Sequence, residues 1–148
     1  MNLIQFIVAV IATMCFSILF QAPPRHYVFC GLVGGVGWTV YLIASQLGGS
    51  QALACFLSAL VITTLARLSS VWRKTPSTVF LIAGIFPLVP GAGIYFTAYS
   101  LFAGDYSQAA AKGMETLIIA GTLSLGILFG SAVPQAVFQW ICRLRPPK

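Results

Sequence analysis

Long apolar runs, separated by short polar stretches, dominate this sequence and decide the solvent in which it can fold. Hydrophobic residues make up 59% of the 148 residues and charged residues only 7%, whereas a typical soluble domain has about 25% charged residues. Such a chain lacks the polar groups to cover a water-facing surface. The runs are also too long and too unbroken for a closed barrel, whose strands are short and alternate in polarity. The sequence therefore predicts an all-α integral membrane protein.

A helix crosses the bilayer in about 20 apolar residues, and the lengths of the runs predict about five transmembrane helices. The predicted spans cover residues 3–20, 27–47, 51–67, 78–103 and 114–142, which form a single transmembrane domain. A cytosol-like loop is expected from Leu68 to Ser77, and a polar loop over residues 104–108. No cation precedes the first run and no cleavage site follows it, so we expect it to be retained rather than removed as a signal peptide.

Positive charge is concentrated on one side of the predicted topology. With five crossings, every lysine and arginine except Lys112 lies on the side that holds the C-terminus; these are Arg25, Arg67, Arg73, Lys74, Arg143, Arg145 and Lys148. Because cytoplasmic loops carry an excess of lysine and arginine, this bias predicts an external N-terminus and a cytoplasmic C-terminus. The cations stand singly or in pairs at the ends of apolar runs, a pattern that does not indicate nucleic-acid binding.

The fourth run is interrupted at its centre, between Pro87 and Gly91, by the sequence Pro-Leu-Val-Pro-Gly. A proline inside a helix removes one hydrogen bond and clashes with the carbonyl group four residues earlier, so the two prolines predict two half-helices. The first half, from Thr78 to Phe86, would reach about 13 Å, near the middle of the bilayer. A re-entrant hairpin here would place the cations of the C-terminal tail outside, so the run is predicted to cross.

Backbone groups that the break frees cannot face lipid and must face protein or water. Pro90 suits the first position of the second half-helix. The amides near Gly91 and Gly93, together with the positive end of the helix dipole, would favour a substrate carboxylate. Tyr95 is expected to point its hydroxyl toward the same cavity. Pro87, Pro90, Gly91, Gly93 and Tyr95 are therefore the candidate substrate-path residues; the alternative is a proline kink that only shapes packing.

Two predicted helices carry pairs of glycines four residues apart. Gly31 and Gly35 lie in the second span, and Gly126 and Gly130 in the last. Small residues at this spacing let helices approach closely, so these four positions are predicted to be helix-packing residues. Packing within the chain is the favoured interpretation, and a subunit interface is the alternative.

The side chains that enzyme chemistry needs are not assembled in this sequence. It has no Ser/His/Asp set, no H-E-x-x-H motif, no phosphate-binding loop and no pair of acids. The four cysteines lack metal-ligand spacing, and His26, the only histidine, is expected to be solvated in a loop. We therefore predict no enzyme activity, no cofactor and no metal site. Asp105 and Glu115 lie outside the middle of the membrane, so any proton relay is expected in a partner.

Several segments of the chain resemble one family of membrane exporters. They are Pro-Pro-Arg at 23–25 before a glycine-rich span, Ala66-Arg67 with Lys74-Thr75-Pro76, Phe86 to Gly91 with Tyr95, and the tail from Gly130 to Pro146. On these residues the chain is similar to the threonine/serine exporter (ThrE) family, and more closely to its small five-span half, the YjjB-like subunit. The resemblance covers nearly the whole chain, and the central Pro-Leu-Val-Pro-Gly is its most specific part.

The resemblance implies export of small hydrophilic metabolites across the bacterial inner (plasma) membrane. Threonine and serine are the implied substrates, with dicarboxylates such as succinate in members split into two chains, and a larger YjjP-like membrane subunit is the implied partner. The leading hypothesis is a membrane subunit of such an exporter, with the break lining the path of a small carboxylate-bearing metabolite. The rival is a non-transporting assembly or scaffold subunit, and self-association is the alternative to a distinct partner.

Overall fold

The computed structural model describes residues 3–133, and every regular element in that range is helical. The α-helices are α1 Leu3–Leu19, α2 Tyr27–Gln46, α3 Gln51–Arg73, α4 Ser77–Ile85, α5 Gly91–Phe102 and α6 Tyr106–Ala132. Short 3-10 turns, Pro24–His26 and Phe86–Leu88, precede α2 and follow α4. The all-helical fold class is confirmed for this part of the chain.

Helix length and hydropathy support three membrane crossings, or four if one bent pair of helices is a single span. The three are Pro24–Gln46, Gln51–Arg73 and Tyr106–Ala132, and the pair joins Ser77–Leu88 to Gly91–Phe102 at an angle of 51°. α1 has 17 residues, slightly fewer than the about 20 that a perpendicular crossing needs. The break in the fourth run is therefore observed, whereas five crossings and the orientation of the termini remain predictions.

α3 is longer than the sequence indicates. The loop predicted from Leu68 to Ser77 is wrong, because the helix continues to Arg73 and only residues 74–76 connect it to α4. No glycine or proline occurs between Leu68 and Arg73, so no residue in this stretch interrupts the helical hydrogen bonds. The helix ends where Lys74 takes a left-handed conformation, with φ 52°, and Pro76 follows.

α6 begins earlier than expected, at Tyr106, inside the predicted polar loop. Asp105 is its N-cap, and the carboxylate oxygen Oδ1 accepts a hydrogen bond from the backbone N–H of Gln108 at 3.0 Å. That bond, and further bonding from Ser107, lowers the pKa of Asp105, since both favour the charged carboxylate. Lys112 therefore lies within the helix rather than before it. The predicted end of this span near residue 142 lies outside the described residues.

α3 is the centre of the bundle. It packs against α2, α4 and α6, and α1 packs mainly against α2. The buried core between these helices contains Val33, Ala59, Ile62, Leu88 and Leu123. α5 packs chiefly on α6, and its axis is bent by 51° from that of the helical segment before it.

Glycines bring α3 and α6 into close contact. A methyl group placed on Gly126 would lie 2.7 Å from Cβ of Ala59 and 2.7 Å from the carbonyl oxygen of Phe56. A methyl group on Gly130 would lie 2.7 Å from Cβ of Thr63. These distances are shorter than van der Waals contact, so only glycine fits at either position without movement of α3.

α1 and α2 meet through the other glycine pair. A methyl group on Gly31 would lie 2.7 Å from Cγ of Met14, and one on Gly35 would lie 2.5 Å from Cγ2 of Val10. Both glycines are buried. The structure thus places all four predicted packing glycines in contacts between helices of the same chain.

The α3–α6 contact allows a direct test of how far the fold depends on this close approach. Gly126→Ala should lower the free energy of unfolding by about 1–3 kcal/mol, as overpacking does, because the added methyl meets the backbone of α3. Gly121→Ala, on the same helix, is the matched control, since no atom lies within 4 Å of its methyl position. Reversible unfolding in mixed detergent micelles measures both variants. Equal stability of the two would contradict the contact.

Candidate functional site

Two local turns replace the helical hydrogen bonds between α4 and α5. Val89 donates its N–H to the carbonyl oxygen of Phe86 at 3.1 Å, and Gly91 donates its N–H to that of Val89 at 2.7 Å. Pro90, with φ −76° and ψ 56°, has the backbone conformation of an inverse γ-turn. The break is therefore a defined turn, which redirects the chain by 51°.

The geometry of this turn determines which backbone amides have no hydrogen-bond acceptor. The expected place of Pro90, first in the second half-helix, is wrong by one residue, because Pro90 is the N-cap and Gly91 begins α5. The amide of Gly91 is engaged by Val89. The next two amides, of Ala92 and Gly93, have no acceptor among residues 3–133. They are unbonded donors at the positive end of a helix dipole.

The break forms one wall of a cleft with a volume of about 360 Å³. This volume lies at the lower end of the roughly 300–1,000 Å³ that is usual for small-molecule sites. Three other helices supply facing side chains: Trp38 and Tyr41 from α2, Gln51 and Cys55 from α3, and Lys112 and Thr116 from α6. The cleft is the space between α5, which packs chiefly on α6, and the facing sides of α2 and α3.

Trp38 and Tyr41 form an aromatic wall of the cleft. Their rings are stacked with centroids 5.3 Å apart, and both side chains are half-buried. Such a pair presents flat apolar faces together with an indole N–H and a phenol O–H. The wall can therefore contact both the apolar and the polar parts of a small ligand.

An ion pair lies on the α6 side of the cleft. The ammonium nitrogen of Lys112 is 3.1 Å from Oε2 of Glu115, and the two side chains are about half exposed, at 49% and 52%. The hydroxyl of Thr116 donates to the carbonyl oxygen of Lys112 at 2.7 Å. An exposed pair of this kind adds little to stability. What it adds to the cleft is a positive and a negative group.

Neither member of this ion pair is among the residues that the sequence analysis assigns to the site. A helix beginning near residue 114 would leave Lys112 in a loop, where its direction is undefined. The available signal was Asp105 followed three residues later by Gln108, the pattern of a capping box. That pattern starts α6 early enough to put Lys112 and Glu115 on one helical face.

Four of the five predicted substrate-path residues line the cleft: Pro87, Pro90, Gly91 and Gly93. No atom lies within 4 Å of the methyl position of Gly91, so this residue faces open space. Gly93 instead lies against the Thr116 side chain, and its missing side chain lets α5 approach α6.

The fifth predicted residue, Tyr95, lies outside the cleft. Its side chain is 63% exposed, and its ring stacks on that of Tyr99 with centroids 6.3 Å apart. Phe96, the next residue, lines the cleft in its place. The phenol of Tyr95, predicted from the sequence to point into the cavity, is therefore on the outer face of α5.

The described part of the chain offers binding groups rather than a metal site. Within residues 3–133 no three His, Cys, Asp or Glu side chains come together in a way that could hold a metal ion. Cys15, Cys30 and Cys55 are free thiols, and Cys142 lies outside the described residues. The cleft can thus bind a solute through amides, aromatic faces and one ion pair.

Comparison with known proteins identifies the family to which these features belong. The family profile described as "Threonine/Serine exporter, ThrE" matches residues 5–133. A curated Mycobacterium tuberculosis protein named "Probable threonine/serine exporter" is 26% identical over 123 residues, which cover 82% of this chain and 23% of that protein. The chain thus spans about a quarter of the length of this relative. No solved structure matches the chain significantly. Because the family match includes the break and the cleft, this chain belongs to the threonine/serine exporter family.

Proposed function

We propose that this chain is the membrane subunit of a small-metabolite exporter and that the cleft at the α4–α5 break is part of its substrate path. One observation carries the proposal: the wall of the cleft includes Ala92 and Gly93, whose amides have no acceptor among residues 3–133. Unbonded donors cannot face lipid, so they suit a wet cavity or a bound solute. Membership of an exporter family supports the same function.

A carboxylate fits the donors at this site. α5 has 12 residues, and the dipole of such a helix gives its N-terminus roughly half a positive elementary charge. Two adjacent amides at a helix N-terminus can donate to the oxygens of one anionic group. The proposed substrate is therefore a small carboxylate-bearing metabolite: threonine or serine, or a dicarboxylate such as succinate.

The ion pair favours the amino acids over the dicarboxylates. An amino acid carries an ammonium group that Glu115 can bind while its carboxylate meets the amides of α5 or Lys112. A dicarboxylate would bring a second negative charge beside Glu115, and like charges at close range disfavour one another. Threonine or serine is therefore the first substrate to test, and succinate the second.

The proposed path needs a further protein surface on the α5 side of the cleft. α5 is held chiefly by α6, and its outer face exposes Tyr95, Tyr99 and Phe102, the last by 89%. Most of the length of the curated relative has no counterpart in this chain. We propose that a larger YjjP-like membrane subunit, or a second copy of this chain, covers the α5 side of the cleft. Any proton relay would belong to that partner, because Asp105 caps α6 and Glu115 pairs with Lys112, whereas proton relays use ionisable groups within the membrane.

The proposed location is the bacterial inner membrane, crossed by five spans with the N-terminus outside. In this orientation the end of the fold that carries Arg25 and Arg73 faces the cytoplasm, as the excess of cations favours. α3 begins with Gln51 at the cleft and ends at Arg73. The cleft would then lie toward the external side, which suits the release step of an exporter.

Filling the cleft at Gly91 should stop export. Gly91→Leu places a side chain in the open space of the cleft, whereas Gly121→Leu adds the same side chain to α6 where no atom lies within 4 Å. Efflux of labelled threonine from proteoliposomes that also contain the partner should be abolished by the first change and kept by the second. Pro90→Ala should also abolish efflux, because it removes the turn that frees the amides. Unchanged export by Gly91→Leu would remove the cleft from the path.

A cysteine at the break should react with a reagent from the aqueous phase. With the native cysteines replaced, Ala92→Cys should be labelled by a membrane-impermeant maleimide because Ala92 is exposed in the cleft. Ala83→Cys, in α4, is the control and should stay unlabelled because Ala83 is 1% exposed. Threonine in excess should slow the labelling at position 92. Failure to label that position would show that the break does not face water.

Reconstitution of each chain separates the transporter subunit from the scaffold subunit. Neither this chain nor the larger chain alone should move labelled threonine or succinate, and the two together should. Transport by the larger chain alone would favour the scaffold, since this chain would then contribute only helix contacts. Joint transport that is lost in Gly91→Leu would assign the path to the cleft.

A further inference from the structure

A group of basic and aromatic residues meets at the end of the fold opposite the cleft. Arg25, His26, Trp72, Arg73 and Lys74, here called the basic corner, surround a concavity of about 270 Å³. It forms where the turn before α2 meets the end of α3. Because α3 has 23 residues, the basic corner lies roughly 33 Å from the start of that helix at the cleft.

The guanidinium group of Arg73 is held in place by its neighbours. It lies 4.5 Å from the ring centroid of Phe29, within the range of a cation–π interaction. Its Nη2 donates a hydrogen bond to the carbonyl oxygen of Arg25 at 3.3 Å. The Phe29 ring in turn meets Trp72 edge-on, with centroids 5.7 Å apart. These contacts orient the cation without neutralising it.

His26 orients the second guanidinium group from inside the protein. The expectation that His26 is solvated is wrong, since it is 1% exposed and its ring packs edge-on against Phe80 with centroids 5.4 Å apart. Nε of Arg25 donates to Nε2 of His26 at 3.1 Å, so the proton of the neutral ring is on Nδ1. Nδ1 is buried without a partner in the described residues, and such donors are rare in native proteins.

No side-chain carboxylate of this chain neutralises the charges of the basic corner. The sequence contains two acidic residues. Asp105 caps α6 by accepting the N–H of Gln108, and Glu115 pairs with Lys112. Both are at the other end of the fold. Cations held together at a membrane interface, where the dielectric constant is lower than in water, attract an anion more strongly than the same cations would in water.

The backbone at Lys74 supports a role for its charge. This residue ends α3 in the left-handed conformation, with φ 52° and ψ 45°. Glycine adopts that conformation most easily and is the usual residue after a helix. A lysine here is therefore not explained by the needs of the turn. Cytoplasmic loops carry an excess of lysine and arginine in general. That excess alone explains neither a lysine in a left-handed conformation nor the meeting of Arg25, Arg73 and Lys74 at one concavity.

We propose that the basic corner binds the phosphate of an anionic lipid headgroup, with the acyl chains lying along the exposed apolar face of α2. Trp72 beside the concavity is 62% exposed, and Val28 and Leu32 of α2 are exposed by 58% and 45%. Tryptophan is typical of the headgroup level of a membrane, and basic pockets between membrane helices bind anionic headgroups. A soluble phosphate would bind the cations but has no apolar part that could contact Val28 and Leu32.

Lipid titration of the full chain in neutral detergent micelles tests the proposal. Phosphatidylglycerol should raise the thermal unfolding midpoint in a saturable manner, and phosphatidylcholine should not. Lys74→Gly removes one cation while giving the left-handed position its preferred residue, so stability without lipid should be kept. The concentration of phosphatidylglycerol for half the effect should rise about five-fold, as expected for one basic residue at an anionic surface.

The control and the competing ligand decide between the remaining explanations. Lys112→Gln removes the same charge at the cleft end and should leave the titration unchanged. An equal loss in Lys74→Gly and Lys112→Gln would mean that net charge attracts the lipid, and it would overturn the site. Stabilisation by inorganic phosphate at the same concentration as phosphatidylglycerol would make a free anion the ligand and overturn the lipid assignment.

Discussion

Backbone hydrogen bonding without water is the constraint on which this structure depends. The chain has 7% charged residues, and peptide groups surrounded by lipid must find partners within the protein. Buried hydroxyls obey the same rule: Thr13 and Ser17 donate to carbonyl oxygens one turn earlier in α1, each at 2.8 Å. The α4–α5 break is where the constraint is relaxed. Local turns engage the N–H groups of Val89 and Gly91, and the next two amides are left at the cleft.

Close helix contacts follow from the same constraint, because membrane helices with few charged side chains are joined mainly by shape and by a few hydrogen bonds. Ser58 of α3 donates to the carbonyl oxygen of Gly37 in α2 at 2.6 Å, a bond between helices that the missing glycine side chain allows. Gly126 likewise lets α6 approach the backbone of α3. α5 approaches α6 closely through Gly93 but bends away from the centre. The cleft is the space that remains beside it.

The break and the helical class could be predicted because each depends on local chemistry: prolines that remove hydrogen bonds, and the lengths of apolar runs. The directions of side chains could not. Tyr95 and Phe96 are adjacent, and which of them faces the cleft depends on the rotation of α5 after a 51° bend, which hydropathy does not encode. The burial of His26 likewise depends on Phe80 of α4, a residue distant in sequence. Only Lys112 had an overlooked local signal, the cap that starts α6.

The two ends of α3 differ in their electrostatics, and the difference bears on how the proposed substrate path would recognise a solute. The basic corner has a positive charge that no side-chain carboxylate of this chain neutralises, and this charge attracts anions. At the cleft, Lys112 and Glu115 are 3.1 Å apart, so their fields largely cancel beyond a few ångströms and salt screens the remainder. Such a site does not collect anions from a distance. If the cleft is the proposed substrate path, recognition would come from short-range contacts with the amides of α5 and the rings of Trp38 and Tyr41. On that proposal a zwitterion, whose own charges also cancel, would fit better than a dianion.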